Sequence, residues 1–460
     1  ALRARGEKLL FTELAVAPST NADEIACRNL FATNELLPPK LVCSSFTYVA
    51  PGKMRIAWKG DLKLDSGTGT WSELEAQVAK AEPSMKLFRQ ALEHPAPDSG
   101  WVYSDDYLVV ANAPRWDFAR TRGVAWNLAS AELCALHRGD ADGAFSNLHA
   151  LAGFARVGRN EISLVSGMLQ VGIATLGLSA TWEALQAPGW DEARLARLQR
   201  DWEQFNALDA VERGVLGERA LAESRMTIIR HSSSARFSRM VARFSNPSGP
   251  GSGGSDPTGI TLVASRIIGN YYRLFGANAD ELAQLEYYDK ALAGIRMMQA
   301  NRGWAEARVV ETNAKAELDS KIKKDHTGRL VFSKCLVPDM ARAVETTVRC
   351  ETLRRLAVTA LAIKRYEIKH GAPPAELRAL TPDFLSAEPI DPMSGKPLCY
   401  RLNADGTFVL YSTGADGVDN GGNATTSTQG KFSLWEGKDA VWPVAAEENP
   451  NLQSAQTKVK

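Results

Sequence analysis

From Trp71 to about Lys369 apolar residues recur at spacings of three and four, and no other feature limits the fold as much. The clearest stretch flanks Arg138-Gly139-Asp140. On its N-terminal side Ala125, Leu128, Ala129, Leu133 and Leu136 share one face of a predicted helix Trp116–His137. On its C-terminal side Ala144, Leu148, Leu151, Ala152 and Phe154 do the same for Asp140–Val157. Further helices are expected at Trp71–His94, Glu161–Leu185, Asp191–Phe205 and Asp209–Phe244, with Asp209 as an N-cap and Gly214 and Gly217 as weak points. Beyond them the pattern gives Thr261–Phe275, Asp280–Asn301, Trp304–Lys323 and Pro338–Lys369.

The remaining stretches are punctuation or strand. Residues 1–70 lack helical periodicity after a short basic start, and Pro18, Pro38, Pro39 and Pro51 divide them into extended pieces. Alternation in Ser44–Val49 and Met54–Trp58 around Pro51-Gly52 predicts a hairpin, so this region reads as an extended arm on a larger body. Thr70 or Ser72 is available to cap the first long helix. Asp98–Pro114 interrupts the helices, with Tyr107–Ala111 expected as a short strand. Ser245–Gly259, rich in Gly, Ser and Pro, is the strongest linker signal and divides a helical domain spanning residues 71–337. A unit at 338–445 and a polar tail at 446–460 complete the division.

Paired helices with small residues at their turns loosely resemble tetratricopeptide-type α-solenoids in architecture, without the consensus. A sharper resemblance lies in the last fifth of the chain. Tyr366 stands near a helix end, Gly371 and Pro373 follow, and then come Asp391-Pro392, Gly395, Pro397 and Tyr400. Tyr411-Ser412-Thr413-Gly414-Ala415-Asp416-Gly417 completes the order. This segment resembles the globular part of type II secretion major pseudopilins and related type IV pilin-like proteins. The resemblance implies a small α+β module in which the final helix lies across an antiparallel sheet. Leu398, Tyr400 and Leu402, then Phe408 and Leu410, alternate as a hairpin around Asn403–Gly406. The expected fold is therefore mainly α, solenoid-like in its antiparallel hairpins, with a C-terminal pilin-like module and an extended N-terminal arm.

The resemblance also implies a cofactor. Major pseudopilins bind calcium in the loop corresponding to Gly414–Asn423, and Asp416 occupies the matching Gly-Ala-Asp-Gly. Asp419 is a second candidate carboxylate, and Asp439 in Asp-Ala-Val-Trp442 matches the acidic residue closing the pseudopilin loop, after a longer insertion at Ala424–Lys438. Calcium prefers hard oxygen ligands on a backbone free to fold back, which Gly supplies. The competing reading is a metal-free Asp/Asn/Gly turn. Asp140-Ala-Asp-Gly143 imitates a calcium loop without its continuation and reads as a helix cap.

Other chemistry is sparse. The 54 basic and 53 acidic residues nearly cancel, which argues against general nucleic-acid binding. The six cysteines (27, 43, 134, 335, 350 and 399) form no Cys-x-x-Cys; Cys27–Cys43 and Cys335–Cys350 are the near pairs, and buried free thiols are the alternative. The histidines give no zinc-hydrolase spacing, and Ser252 has no nucleophile-elbow context. Arg225, Arg230, Arg236, Arg239 and Arg243 with His231 make a basic run, read as a solvated or helix-pairing face. No uninterrupted apolar run reaches membrane-span length, and Ile162–Leu178 reads as a packed helix. The resemblance implies an apolar membrane anchor upstream of Ala1. Together these readings favour a non-enzymatic extracytoplasmic structural or assembly protein, acting through protein partners or self-assembly. The alternatives are a periplasmic or surface hydrolase with acidic residues converging from separate helices, and a helical scaffold for a partner protein or peptide.

Overall fold

The computed structural model describes residues 2–33, 47–60, 62–64, 67–111, 118–231, 233, 260–426 and 432–446. Among them are twelve helices and small sheets. The helices are α1 (Ala22–Ala32), α2 (Trp71–Ala91), α3 (Phe118–His137), α4 (Ala141–Phe154), α5 (Leu164–Leu185), α6 (Glu192–Glu203) and α7 (Ala207–His231). They continue as α8 (Ile260–Phe275), α9 (Ala277–Gln299), α10 (Trp304–Lys324), α11 (Val331–Leu336) and α12 (Met340–His370). The linker Ser245–Gly259 and Cys43 lie outside the described residues.

Local chemistry sets most helix ends. Thr70 caps α2 in a reciprocal box with Glu73, and Asp140 caps α4 by accepting from Gly143 N at 2.8 Å. Asp191 does the same for α6 through Arg194 N. The start of α7 differs from expectation. Asn206, not Asp209, accepts the N–H groups of Leu208 and Asp209, because the helix begins a turn earlier.

Two extended expectations are also corrected. Tyr107–Ala111 is a helical turn, which puts Tyr107 and Val110 on one side. Tyr107 packs with Met226, Ile229 and Tyr272, and Val110, about one helical turn on, with Phe11, Ile162 and Ala220. The N-terminal arm is not extended throughout. Asn21 caps α1 by accepting from Asp23 N and Glu24 N, and the helix buries Cys27 and Phe31 one turn apart. Phe31 meets Phe88 and Phe154 at ring-centroid distances of 5.1 and 4.9 Å.

Two apolar cores meet along α12. Its C-terminal half, Cys350 to Ile363, joins the core shared by α1 to α6 and the C-terminal strands. Its N-terminal residues Met340, Val344 and Val348 join a second core with α7, α9 and α10. No solenoid is recognised: α12 packs back on α5, α6 and α7, whereas stacked repeats touch only their neighbours. By length and composition α5 could cross a membrane, but here it runs through the first core, with α3, α4, α7 and α12 against it.

Gly214 and Gly217 prove to be points of close approach. A Cβ at Gly214 would lie 2.7 Å from Leu164 Cα, and one at Gly217 would lie 2.5 Å from Ile162 O. A propensity scale counts them as weak because it sees only the helix, not what presses on it.

The strands tie the ends of the chain together. β1 (Tyr48–Ala50) and β2 (Lys53–Met54) form the expected hairpin, and β2 also pairs in parallel with β8 (Val444–Ala445), Lys53 opposite Val444. β3 (Lys63–Leu64) and β4 (Gly67–Thr68) make a separate pair. β5 (Cys399–Leu402), β6 (Phe408–Ser412) and β7 (Ala440–Val441) form an antiparallel sheet, Cys399 opposite Tyr411 and Tyr411 opposite Val441. β6 lies against α12.

Candidate functional site

The C-terminal sheet is built around a carboxylate that sequence reading singled out only as half of an Asp-Pro dipeptide. Asp391 is 1% exposed and takes five donors. Oδ1 accepts from Met393 N at 3.0 Å and Ser412 Oγ at 2.7 Å; Oδ2 accepts from Ser394 Oγ, Thr413 N and Thr413 Oγ1 at 3.0 to 3.1 Å. A buried carboxylate is tolerable when its lone pairs are met in this way. The turn that carries it docks on the helical body. Pro392 O accepts from Trp304 N at 2.9 Å, which satisfies one of the open N–H groups at the start of α10. Gly395, at φ +72°, lies so close that a Cβ would sit 2.6 Å from Asn301 O. Arg355 reaches in from α12 and donates to Ile390 O.

The three acidic residues proposed for calcium serve separate turns. Asp439 is buried and closes the Gly414–Asn423 loop. Its Oδ1 accepts from Asn420 N at 3.2 Å, and its Oδ2 from Gly422 N and Asn423 N at 2.9 and 2.7 Å. Asp419 Oδ1 accepts from Tyr411 Oη at 2.9 Å and Gly421 N at 2.8 Å. The Gly421 N–H, followed by the Tyr411 hydroxyl, holds that carboxyl below its ordinary pKa. The half-buried Cys399 thiol donates to Asp419 Oδ2 at 3.9 Å and is pushed up to about 11, chiefly by burial. Asp416 is exposed, and its Oδ1 accepts from Val418 N. The structure therefore brings Asp439 to the loop that carries Asp416 and Asp419, both of them exposed. Among the described residues no group of three or more His, Cys, Asp or Glu is placed to hold a metal ion. The carboxylate oxygens of Asp439 hold main-chain donors from the loop.

The remaining candidates resolve into structural roles. Arg225 is buried, donates to Gln284 and lies over the Tyr107 and Phe332 rings, and Arg230 pairs with Glu281. Arg236, Arg239 and Arg243 lie outside the described residues. Cys27, Cys134 and Cys350 are buried free thiols, and Cys335 is free and exposed, so the Cys335–Cys350 pair does not form; Cys43 of the other near pair lies outside the described residues.

Acidic residues do converge from separate helices, Glu223 with Glu281 and, more deeply buried, Glu132 on α3 with Glu183 on α5. Glu132 and Glu183 are 1% and 0% exposed, sealed beneath the Ala57–Lys59 turn, so a polymeric substrate has no approach to them. Comparison with protein families, with curated proteins and with solved structures finds no match.

Proposed function

We propose that this chain is a non-enzymatic structural or assembly protein of the cell envelope, extracytoplasmic, whose C-terminal pseudopilin-like module is presented on a helical body to protein partners or to further copies of itself. The observation that carries this reading is α12. One helix of 31 residues enters both cores, lies against β6, and ends at Gly371 in the left-handed conformation. The hairpin and the Asp439-closed loop follow in the order seen in pilin-like modules. A module joined to its body by a continuous helix and by the docked Asp391 turn is held at a fixed attitude. Such rigidity suits a part that must be presented to neighbours.

The test is fractionation of cells producing the tagged full-length protein, followed by cross-linking in place. The expected result is recovery with the envelope and cross-links from the 391–423 surface to a second chain. A cytosolic monomer without such cross-links would overturn the reading.

A second reading, a helical scaffold for a partner protein or peptide, is favoured by α8. Ile267, Tyr271, Leu274 and Phe275 are exposed along it, and Leu282 is exposed nearby on α9. Leu274→Glu would abolish partner capture if this stripe is the contact and leave it intact if the C-terminal module is.

A further inference from the structure

The segment Lys53–Gly60 crosses the C-terminal ends of α3 and α5 like a strap. Glu183 Oε1 accepts from Ala57 N at 2.5 Å and Trp58 N at 3.2 Å. His137 Nδ1 bonds Trp58 O at 2.8 Å, and Trp71 Nε1 donates to Gly60 O at 3.2 Å. The His137 ring itself stacks on Trp71 at 3.9 Å. At its other edge the strap pairs with the segment around β8: Val444 N donates to Gly52 O and Ala446 N to Met54 O. Trp182 Nε1 donates to Pro443 O beside Glu183.

Beneath this strap the two carboxyl groups are poorly provided for. Glu183 Oε2 and Glu132 Oε1 are buried without a hydrogen-bond partner. The groups around them offer little compensation. From the strap comes Arg55, which draws Glu183 toward ionisation, and Lys59, which lies over the Trp58 ring. From α3 come Glu132 itself and His137; from α2, Glu75, which acts on the neighbouring Cys134. From α4, Asp142 is already paired with Arg194. From α12, Glu351 with Arg354 and Arg355 lies where Cys350 meets Val171, toward the other end of α5.

We propose that the strap is a pH-sensitive closure: with a proton on the Glu132–Glu183 pair it stays shut, and when both carboxyls ionise it lifts to let water reach them. Two buried like charges with open lone pairs cost far more than one, and exposing them is the cheapest relief. Burial raises Glu183 to about 7 and holds Glu132 well above its ordinary value, with Glu183 adding to the latter, so release belongs above neutrality. Breaking the strap also frees β2 from β8, which couples the N-terminal arm and the C-terminal module to the same event.

Hydrogen exchange of the full chain, corrected for intrinsic rates, tests this at about pH 6 and about pH 9. Protection of the Ala57, Trp58, Val444 and Ala446 amides is expected to fall at least about tenfold at the higher pH, while the Asp391 turn keeps its own. Glu132→Gln, which keeps the shape and removes one ionisation, should hold the strap closed at both. Equal wild-type protection at the two pH values would overturn the proposal. So would a Glu132→Gln variant that opens as the wild type does.

Discussion

Two of the places where this molecule buries acidic side chains solve the problem differently. In the C-terminal module Asp391 is met by five donors and Asp439 by three main-chain N–H groups. Under the strap Glu132 and Glu183 are at least as deeply buried, yet each keeps an oxygen without a partner. A short side chain in a turn sees several amides turned toward it, whereas a longer one projecting from a helix meets backbone already committed to its own hydrogen bonds. The first arrangement is a fastening. The second stores unfavourable energy that a proton relieves.

The contrast is broken most directly at Asp391. Asp391→Ala would strand the donors of Ser412, Thr413 and Met393 in a sealed site and should cost about 3–5 kcal/mol, read as a fall in the denaturant midpoint. A change below about 1 kcal/mol would mean that these donors find water instead.

Raising the pH should separate the two centres next. Glu183 titrates near 7 in the folded protein and near its ordinary 4.5 when unfolded, and burial places Glu311 on α10 near 7 as well. Each therefore contributes stability that is full below the unfolded value and is lost as pH rises through the folded one. His149, raised by Asp201 and Glu93 against the opposing effect of burial, acts with the same sign above its ordinary 6.5. Stability is expected to fall by on the order of 2–3 kcal/mol from Glu183 alone between about pH 5 and about pH 8. Thermal melts across that window check it, and a flat or rising midpoint would contradict the buried-pair account.

Asp439→Asn probes the fastening more gently, since one amide oxygen can still accept. A loss of about 1–2 kcal/mol is expected, with faster exchange at Gly422 and Asn423.

The smallest effect should come from calcium. Because Asp439 and Asp419 already hold N–H and O–H donors, calcium against chelator is expected to shift stability by less than about 1 kcal/mol, and Asp416→Ala to change it as little. A large calcium-dependent gain that Asp416→Ala removes would instead make the Gly414–Asn423 loop a metal centre.

Much of the secondary structure is legible because local chemistry writes it. The three-to-four spacing on either side of Arg138-Gly139-Asp140, the Thr70–Glu73 box and the Asn403–Gly406 turn each involve residues a few positions apart. The errors fall where distant packing outvotes a short pattern, as at Tyr107–Ala111 and in α1. The Asp416, Asp419 and Asp439 loop could be located by its Gly and Asp content, but that content does not say whether oxygens face a cation or the loop's own amides. Asp391 was visible as part of a dipeptide, yet its partners Ser412 and Thr413 stand about twenty residues on and are brought in only by the hairpin.

By itself, then, the sequence determined where the capped helices α2, α4 and α6 start, where hairpins turn and that charge is balanced. Only the tertiary structure decided that α12 joins two cores, that β2 pairs with β8 across nearly the whole chain, and that Glu132 meets Glu183 out of water. The physical reason is range. Hydrogen bonds within a turn and apolar periodicity act between near neighbours, whereas burial and like-charge repulsion depend on which distant segments the fold brings together.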